Sequence, residues 1–201
     1  MLRGAQLRRA VETCPLTAFR GRLCRRVPLT ALLADFPNFD FLFASANASR
    51  FLRKRTAAAL YGSESEETAN AEFRYYQTAI WSDDLPVFAD HSATFSFEAD
   101  VQKVLDLTEP RIREHFRISG KELTTDWNRL GRRLPAPTQV LRAASFGSGR
   151  VAAIRYPSAR HAKGVNLVLF KDRIVNPMRV TAEFTHANGV RQHMRWPERA
   201  P

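Results

Sequence analysis

Two apolar runs near the end of the chain place the strongest constraint on its fold. The runs VAAIRYPSA (residues 151–159) and VNLVLF (residues 165–170) are bounded by turn residues, as buried strands usually are. Beyond them, RVTAEFTH and VRQHMRW flank Ala187-Asn188-Gly189. An Asn-Gly pair between alternating segments is a strong hairpin signal. The chain is therefore expected to end in strands, with a C-terminal β-hairpin.

Further strands are predicted earlier in the chain, with helices between the two groups. The early strands are RGRLCRRV (20–27), AAALYG (57–62), TFSFEAD (94–100) and KVLDL (103–107). The helices are predicted around PRIREHF, TTDWNRL and PTQVLRAASF, the last with proline in its first turn. Strands, then helices, then strands predict an α+β fold rather than a regular βαβ repeat.

One helix is predicted directly after the AAALYG strand. Ser63 and Glu66 have the spacing of a capping box, and Glu64, Glu66 and Glu67 would lie where the helix dipole favours anions. Apolar residues at helical spacing are expected to face the core, namely Ala69, Phe73, Tyr76 and Ile80. Glu72 lies one position from this apolar stripe, so we expect it to point into a cleft at the edge of the helix.

The net charge of +11 is divided into three blocks along the chain. Residues 1–60 carry +8, residues 61–128 carry −8 and residues 129–201 carry +11. A basic stripe that binds nucleic acid is one interpretation. Solvated or locally paired arginines are favoured over it, because the basic residues are scattered through predicted strands rather than interleaved with stacking aromatics. A pocket for a small phosphorylated ligand, or a surface for an acidic partner protein, fits the pattern better still.

Length and composition favour one domain over residues 1–201. With 44% hydrophobic residues the chain can bury a substantial core. It contains no apolar segment of signal-peptide or membrane-spanning length, which predicts a cytoplasmic protein that does not enter a membrane. Cys14 and Cys24 form no disulfide framework, and no Cys/His spacing predicts a metal site.

The common catalytic motifs are missing from the sequence. It has no GxGxxG, P-loop, GxSxG or HExxH pattern. Polar residues in apolar segments are the remaining candidates: Tyr61 near the end of a predicted strand, Glu72 on the next helix, and Ser158 after Pro157 at another strand end. Rigid scaffolds often present reactive groups where strands lead into loops.

Several stretches together resemble the RES-domain family, named for its Arg, Glu and Ser. They are ASRFLRKRTAAALYGSESEETANAE, VLDLT (104–108), DW (126–127), TQ (138–139) and AIRYPSARHAKGVNLVLF (153–170). Arg50 and Tyr61 are 11 positions apart, the separation that the family's arginine and tyrosine show. The resemblance covers about residues 20–172, with 173–201 as a C-terminal strand extension. It implies a mixed-sheet core similar to that of ADP-ribosyltransferases, with short flanking helices.

The resemblance also implies an activity and a partner. Family members are bacterial toxins that consume NAD and are commonly neutralised by a cognate antitoxin with an Xre-type helix-turn-helix domain. NAD would be the substrate, with no separate cofactor, and nucleic acid would be contacted only through the antitoxin. By position the catalytic residues would be Arg50, Tyr61, Glu72 and Ser158. The family's glycine-rich turn is replaced by Ala48-Ser49, so the working arginine could be Arg50, Arg53 or Arg55.

These residue types suit cleavage of the nicotinamide–ribose bond. The NAD pocket would be lined by Arg50, Phe51, Tyr61, Tyr156 and Asn166. The ribose develops oxocarbenium character, but nicotinamide leaves as a neutral molecule and needs no proton, so Glu72 alone would suffice as carboxylate. Arg50 would clamp the pyrophosphate, and Ser158 would orient a hydroxyl or the amide. Tyr61 would pack against the nicotinamide or its ribose.

The acceptor of the ADP-ribose group is left open by these residues. Water would make the protein a hydrolase, phosphate a phosphorylase, and a macromolecular side chain an ADP-ribosyltransferase. A basic nucleic-acid-binding domain without catalysis is a more remote alternative.

Overall fold

The computed structural model describes eight ranges of the chain: residues 1–28, 43–44, 49–53, 58–80, 92–127, 135–173, 179–185 and 191–196, with the side chains of 43–44, 76–80 and 179–196 excepted. The strands in these ranges form one mixed sheet: β1 (Thr17–Pro28), β2 (Phe43–Ala44), β3 (Ala59–Ser63), β4 (Ser92–Asp106), β5 (Ala153–Pro157), β6 (Val165–Phe170), β7 (Arg179–Thr185) and β8 (Arg191–Trp196). The helices are α1 (Gly4–Thr13), α2 (Glu66–Ile80), α3 (Pro110–His115), α4 (Gly120–Thr124) and α5 (Pro137–Gly147), with a 3₁₀ turn at Lys171–Arg173.

Five of the strands close into a ring. β1 pairs with β3, β3 with β6, β6 with β5, β5 with β4, and β4 pairs back with β1. The β4–β5 pair is parallel and the other pairs are antiparallel. β2 extends the sheet from β3, and the β7–β8 hairpin joins β4. The sequence correctly predicted a mixed-sheet α+β fold with a C-terminal hairpin, although residues 186–190 that join the hairpin strands lie outside the described ranges.

The ring is filled by apolar side chains from alternate positions of its strands. Leu23, Leu60, Phe97 and Leu167 are among the inward residues, each at most 1% exposed. Burying one such side chain contributes about 1.5–3 kcal/mol, so the interior is a main source of stability. There is no room for another side chain at Gly62, where an added Cβ would lie 2.6 Å from the Phe97 ring.

A change of alternation in β4 allows the ring to close. Phe97 and Val101 face the interior from odd-numbered positions, whereas Val104 faces it from an even-numbered one. Lys103 has a φ of 61° between them, a left-handed conformation that is uncommon for a residue with a side chain. Beyond this point β4 pairs with β5.

Helices cover the outer face of the ring in two places. α1, α3 and α5 pack over β5 and β6 in a second core cluster, where for example the Phe146 and Phe170 ring centres are 5.6 Å apart. α2 lies over β1, with Phe73 buried and the Arg26 guanidinium 5.6 Å from the centre of its ring. The ends of β3, β5 and β6 lie between these two covers. None of the described helices has the length and apolarity needed to span a membrane.

One helix start differs from its prediction, and another predicted helix lies partly outside the described residues. α2 begins after Ser65, whose hydroxyl accepts from the Thr68 N–H at 3.2 Å, so the predicted Ser63–Glu66 cap is wrong. Ser63 cannot serve as the cap because it is the last residue of β3. The helix predicted around TTDWNRL (124–130) falls partly outside the described residues, which end at Trp127 in this region; α4 lies just before it at Gly120–Thr124, where Ser119 and Glu122 form a capping box. Ala69 and Phe73 are buried as predicted, whereas the Tyr76 and Ile80 side chains lie outside the described part of the chain.

Candidate active site

A row of polar side chains crosses the outer face of three neighbouring ring strands. Asn166 of β6 lies opposite Ser63 of β3 on one side and Tyr156 of β5 on the other. The Ser63 hydroxyl donates to Asn166 Oδ1 at 2.7 Å, and both side chains are buried. A buried amide needs partners for both of its ends. The bond to Ser63 occupies the oxygen of Asn166 and fixes the direction of its NH₂ group.

Glu72 of α2 accepts hydrogen bonds from this row. Asn166 Nδ2 donates to Glu72 Oε1 at 2.8 Å, and the Ser158 hydroxyl donates to the same oxygen at 2.7 Å. The other carboxylate oxygen, Oε2, accepts no hydrogen bond from the residues that the structure describes. The half-buried carboxylate is thus held at one oxygen by two donors, while the second oxygen can accept from a ligand.

Ser158 is held by the loop that follows β5. Its Oγ accepts from the N–H groups of Arg160 and His161, each at 3.0 Å, so the proton of its own hydroxyl is directed to Glu72. The loop closes where Ser158 N–H donates to the Gly164 carbonyl at 2.8 Å. In this arrangement the hydroxyl of Ser158 is fixed as a donor to the Glu72 carboxylate.

The same loop is pinned to the first turn of α2. Thr68 Oγ1 and His161 Nδ1 are 2.8 Å apart, and the Gly164 N–H donates to the His161 carbonyl at 3.0 Å. A Cβ at Gly164 would lie 2.6 Å from Thr68 Oγ1 and 2.9 Å from His161 Nδ1. Glycine at this position therefore allows the loop and the helix to approach closely enough for Ser158 to reach Glu72.

Arg50 lies in a short segment that packs against α4. Its guanidinium Nη1 donates to the carbonyl oxygens of Leu123 at 2.6 Å and Thr125 at 2.9 Å, at the end of that helix. Cations near a helix C-terminus interact favourably with its unpaired carbonyl groups. Arg50 is only 7% exposed, so much of its side chain is committed to the fold. Arg53 is exposed, and Arg55 lies outside the described residues.

The first turn of α5 and Tyr61 hold the backbone around Arg50. Thr138 Oγ1 donates to the Arg50 carbonyl at 2.5 Å. Gln139 Nε2 donates to the carbonyls of Ser49 at 2.9 Å and Leu52 at 3.1 Å. The Tyr61 hydroxyl is 2.5 Å from Ser49 Oγ and accepts from the N–H of Phe51 at 3.3 Å. These contacts show that the Thr138-Gln139 pair, one of the stretches that carry the family resemblance, holds the backbone of the Arg50 segment.

The two predicted pocket aromatics are part of the second core cluster. Phe51 and Tyr156 are 0% and 4% exposed, and their ring centres are 4.5 Å apart. They join the Arg50 segment to the Tyr156–Asn166 strand pair, so they form a wall behind the polar row.

A separate ion-pair cluster engages Glu64, just before α2, and Asp106 at the end of β4. Arg155 pairs with Glu64 through Nε at 2.6 Å and Nη2 at 3.0 Å, and with Asp106 through Nη1 at 2.9 Å. The hydrogen bonds that Arg155 donates to Glu64 are the main cause of its raised pKa. Glu64 was predicted to sit at the start of the helix, but it precedes α2 and ties the end of β3 to β5 instead. Glu72 takes no part in this cluster and has Ser158 and Asn166 as its donors.

The described residues offer little support for other kinds of site. They contain no group of three or more His, Cys, Asp or Glu residues arranged to hold a metal ion. A cavity of about 290 Å³ lies beside the Lys103 bend and is lined partly by Arg150, Asp172 and Arg173. It contains none of the predicted site residues, and its charges are of both signs.

Comparison with protein families identifies the chain. A family model described as RES domain matches residues 23–196. The chain belongs to the RES domain family. This match extends beyond the stretches that carried the resemblance and includes the β7–β8 hairpin.

The fold of this RES domain is also similar to a solved structure. That structure is the crystal structure of the M. tuberculosis MbcT–MbcA toxin–antitoxin complex, which is 16% identical with a TM-score of 0.63. The alignment covers 95% of this chain and 90% of that chain. No curated protein matches the sequence.

The predicted site residues of the RES domain form two groups in the structure. Glu72, Ser158 and Asn166 are joined directly by hydrogen bonds. Arg50, Phe51 and Tyr61 form a second group around the short segment held by α5. Ser63 was not predicted as a site residue, because its spacing to Glu66 is that of a helix cap. Thr68 and His161 gave no sequence signal either, since their 2.8 Å contact joins residues 93 positions apart.

Proposed function

We propose that this RES domain is the toxin of a toxin–antitoxin pair and that it degrades NAD by cleaving the nicotinamide–ribose bond. The observation that carries the proposal is the Glu72 carboxylate, held at Oε1 by Ser158 and Asn166 with Oε2 available to a ligand. Membership of the RES domain family and the likeness to a chain solved in a toxin–antitoxin complex support the same reading.

Glu72 would act on the positive charge that develops as nicotinamide leaves. Its Oε2 would accept a hydrogen bond from a ribose hydroxyl, and its charge would stabilise the oxocarbenium-like ribose. Ser158 and Asn166 hold the carboxylate in one orientation before the substrate arrives, so little reorganisation is needed during the reaction. Arg50 would contribute positive charge for the pyrophosphate through the guanidinium nitrogens not engaged by Leu123 and Thr125. Tyr61 would form the adjoining wall of the nicotinamide end.

Free nicotinamide is the product that tests this proposal. Purified protein incubated with NAD is expected to release it, and Glu72→Gln is expected to lower the rate on the order of 100-fold or more, as removal of one charge-stabilising group does. Glu67→Gln is the matched control, because Glu67 is an exposed acid in the first turn of the same helix. No release by the wild type, or equal rates in wild type and Glu72→Gln, would refute the proposal.

The acceptor requires a separate measurement. Hydrolysis, phosphorolysis and ADP-ribosyl transfer share the same bond cleavage and differ in the attacking group. Mass spectrometry after incubation with labelled NAD, with and without phosphate, distinguishes free ADP-ribose, its phosphate ester and a labelled macromolecule. We favour water or phosphate as the attacking group. Label found on a protein target would show ADP-ribosyl transfer instead.

An antitoxin partner follows from the proposed toxicity. We expect a cytoplasmic protein of Xre type, encoded beside the toxin, to cover the site with an acidic surface or a terminal carboxylate. Co-expression should rescue growth and give a stable complex. High expression of the toxin alone without growth arrest would contradict this expectation.

Direct nucleic-acid binding is the weaker alternative because several arginines make internal contacts. Arg22 donates to Ser96 Oγ at 2.6 Å, and Arg26 donates to Ser92 Oγ at 2.7 Å. Arg142 is 5% exposed and lies over the Phe146 ring, with its guanidinium carbon 4.6 Å from the ring centre. Burial lowers the pKa of Arg142. These side chains are unsuited to contacting phosphates along a nucleic-acid strand.

A further inference from the structure

Arg160 carries a guanidinium without hydrogen-bond acceptors in the described part of the chain. Its Nε and Nη2 atoms are buried, and neither has a hydrogen-bond partner there. The guanidinium carbon lies 3.1 Å from the centre of the Tyr75 ring, so the group stacks on an aromatic face. Stacking attracts the cation but does not replace the lost hydrogen bonds of its buried N–H groups. An anion that reached this group would supply acceptors that the fold does not.

The position of Arg160 ties it to the Glu72 site. Its backbone N–H donates at 3.0 Å to the Ser158 hydroxyl, which in turn donates to Glu72. Tyr75, on which the guanidinium stacks, is three residues after Glu72 on α2. At 1.5 Å per residue the two lie about 4.5 Å apart along the helix axis, on the same side of the helix. Arg160 is thus attached to both segments that hold the carboxylate.

Arg50, and Arg160 through Tyr75, are also linked to the two residues that follow α4, Thr125 and Asp126. The Tyr75 hydroxyl donates to Asp126 Oδ2 at 2.9 Å, and the preceding residue, Thr125, accepts from Arg50 at 2.9 Å. Arg50 is therefore linked to this segment directly, and Arg160 through Tyr75. Because Nη1 of Arg50 already serves two carbonyl groups, Arg160 has more donors to offer an incoming anion.

We propose that Arg160 binds the diphosphate of NAD, its guanidinium turning from the Tyr75 ring to the phosphate oxygens. This inference rests on the proposed function, because it adds to Arg50 a second residue that recognises the charge of the substrate. Nε and Nη2 form the edge of a guanidinium that binds two oxygens at once. Arg155 of the same chain uses that edge to bind both carboxylate oxygens of Glu64.

Binding without turnover tests the role of Arg160 directly. Calorimetry with inorganic pyrophosphate and with ADP-ribose should show affinities lowered on the order of 10- to 100-fold in Arg160→Met, as expected for loss of charged hydrogen bonds. Arg160→Lys should recover only part of the affinity, since an ammonium group cannot bind two oxygens in this way. Arg111→Met, which removes an exposed arginine of α3, should bind as the wild type does.

Stability and substrate choice separate ligand binding from a structural role. Arg160→Met should melt at the same temperature as the wild type or higher, because it removes buried donors without acceptors. Its kcat/KM should fall for NAD but not for nicotinamide riboside, which lacks phosphate. Unchanged pyrophosphate affinity, or equal losses with both substrates together with a lower melting temperature, would overturn the inference. If the wild type releases no nicotinamide, the proposed function fails, while the pyrophosphate titration still decides the role of Arg160.

Discussion

The side-chain amide of Asn166 donates to Glu72 Oε1 at 2.8 Å and joins residues that are 94 positions apart in the chain. Its carbonyl end accepts from Ser63 at 2.7 Å, so the orientation of the amide is set from the neighbouring strand. The helix that carries Glu72 is thereby attached to the sheet through hydrogen bonds to its carboxylate.

Replacing Asn166 by alanine should slow nicotinamide release about tenfold or more, because Glu72 loses one of the two donors that orient it. Ser63→Ala should have a smaller effect, because Ser63 donates to Asn166 and can affect Glu72 only through the orientation of that amide. Initial rates at saturating NAD, with circular dichroism to check folding, make the comparison. Equal rates of nicotinamide release in Asn166→Ala and wild type would show that the hydrogen bond from Asn166 to Glu72 does not contribute to catalysis.

Thr138→Val should lower the free energy of unfolding by about 1–3 kcal/mol, the cost of a buried polar group without its partner. The change keeps the side-chain shape and removes the donor to the Arg50 carbonyl at a position only 1% exposed. Thr124→Val is the control, because that hydroxyl is exposed and donates within its own helix. Urea unfolding measures the free energy of unfolding of both variants. Equal losses of stability in Thr138→Val and Thr124→Val would count against a special role for the Thr138 hydrogen bond.

The ionised form of Glu122 should stabilise the fold by at most about 1 kcal/mol, the usual range for a helix cap. Burial raises the pKa of Glu122, but hydrogen bonds from Ser119 and the Met1 amino group outweigh it, so the net pKa is lowered. A lowered folded-state pKa gives stability that is present above the ordinary carboxyl pKa and lost as the pH falls through the folded one. The difference in unfolding free energy between wild type and Glu122→Gln should therefore shrink between about pH 7 and about pH 3. A constant difference would contradict the assignment.

Gly164→Ala should destabilise the protein by about 1–3 kcal/mol, because a Cβ 2.6 Å from Thr68 Oγ1 must push the loop away from α2. The displacement should also slow nicotinamide release, since Ser158 lies in the same loop. Gly147→Ala is the control: no atom lies within 4 Å of the added Cβ in α5, and a slight gain in stability is expected. Thermal unfolding and initial rates of the two variants are compared with the wild type.

Local patterns were enough to predict much of the sheet and part of the site. The strands around Tyr156 and Asn166 were visible because apolar runs of strand length ended at turn residues. Glu72 was visible because it lies beside the buried face of its helix and outside the cap. The closure of β1 onto β4 was not predictable from such patterns, because it joins segments that are 64 to 87 positions apart, from Pro28–Ser92 to Thr17–Val104.

The helix cap shows where local reasoning chose the wrong serine. Ser63 has a glutamate three residues on, which is the stronger sequence signal, whereas Ser65 is followed by Thr68. The pairing of β3 with β6 extends to Ser63, opposite Asn166, and this tertiary contact overrides the local preference. Arg160 gave no signal of its own, because the burial of its donors depends on the packing of its loop against α2.

The long sequence separation within the Glu72 cluster has a consequence for protein synthesis. Glu72 leaves the ribosome long before Ser158 and Asn166, its donors 86 and 94 positions later. β6, which carries Asn166 and closes the ring between β3 and β5, is made after the other four strands of the ring. A nascent or prematurely terminated chain that ends before β6 therefore has a carboxylate without its supports, and the cell that makes this protein meets the assembled site only after β6 has been translated.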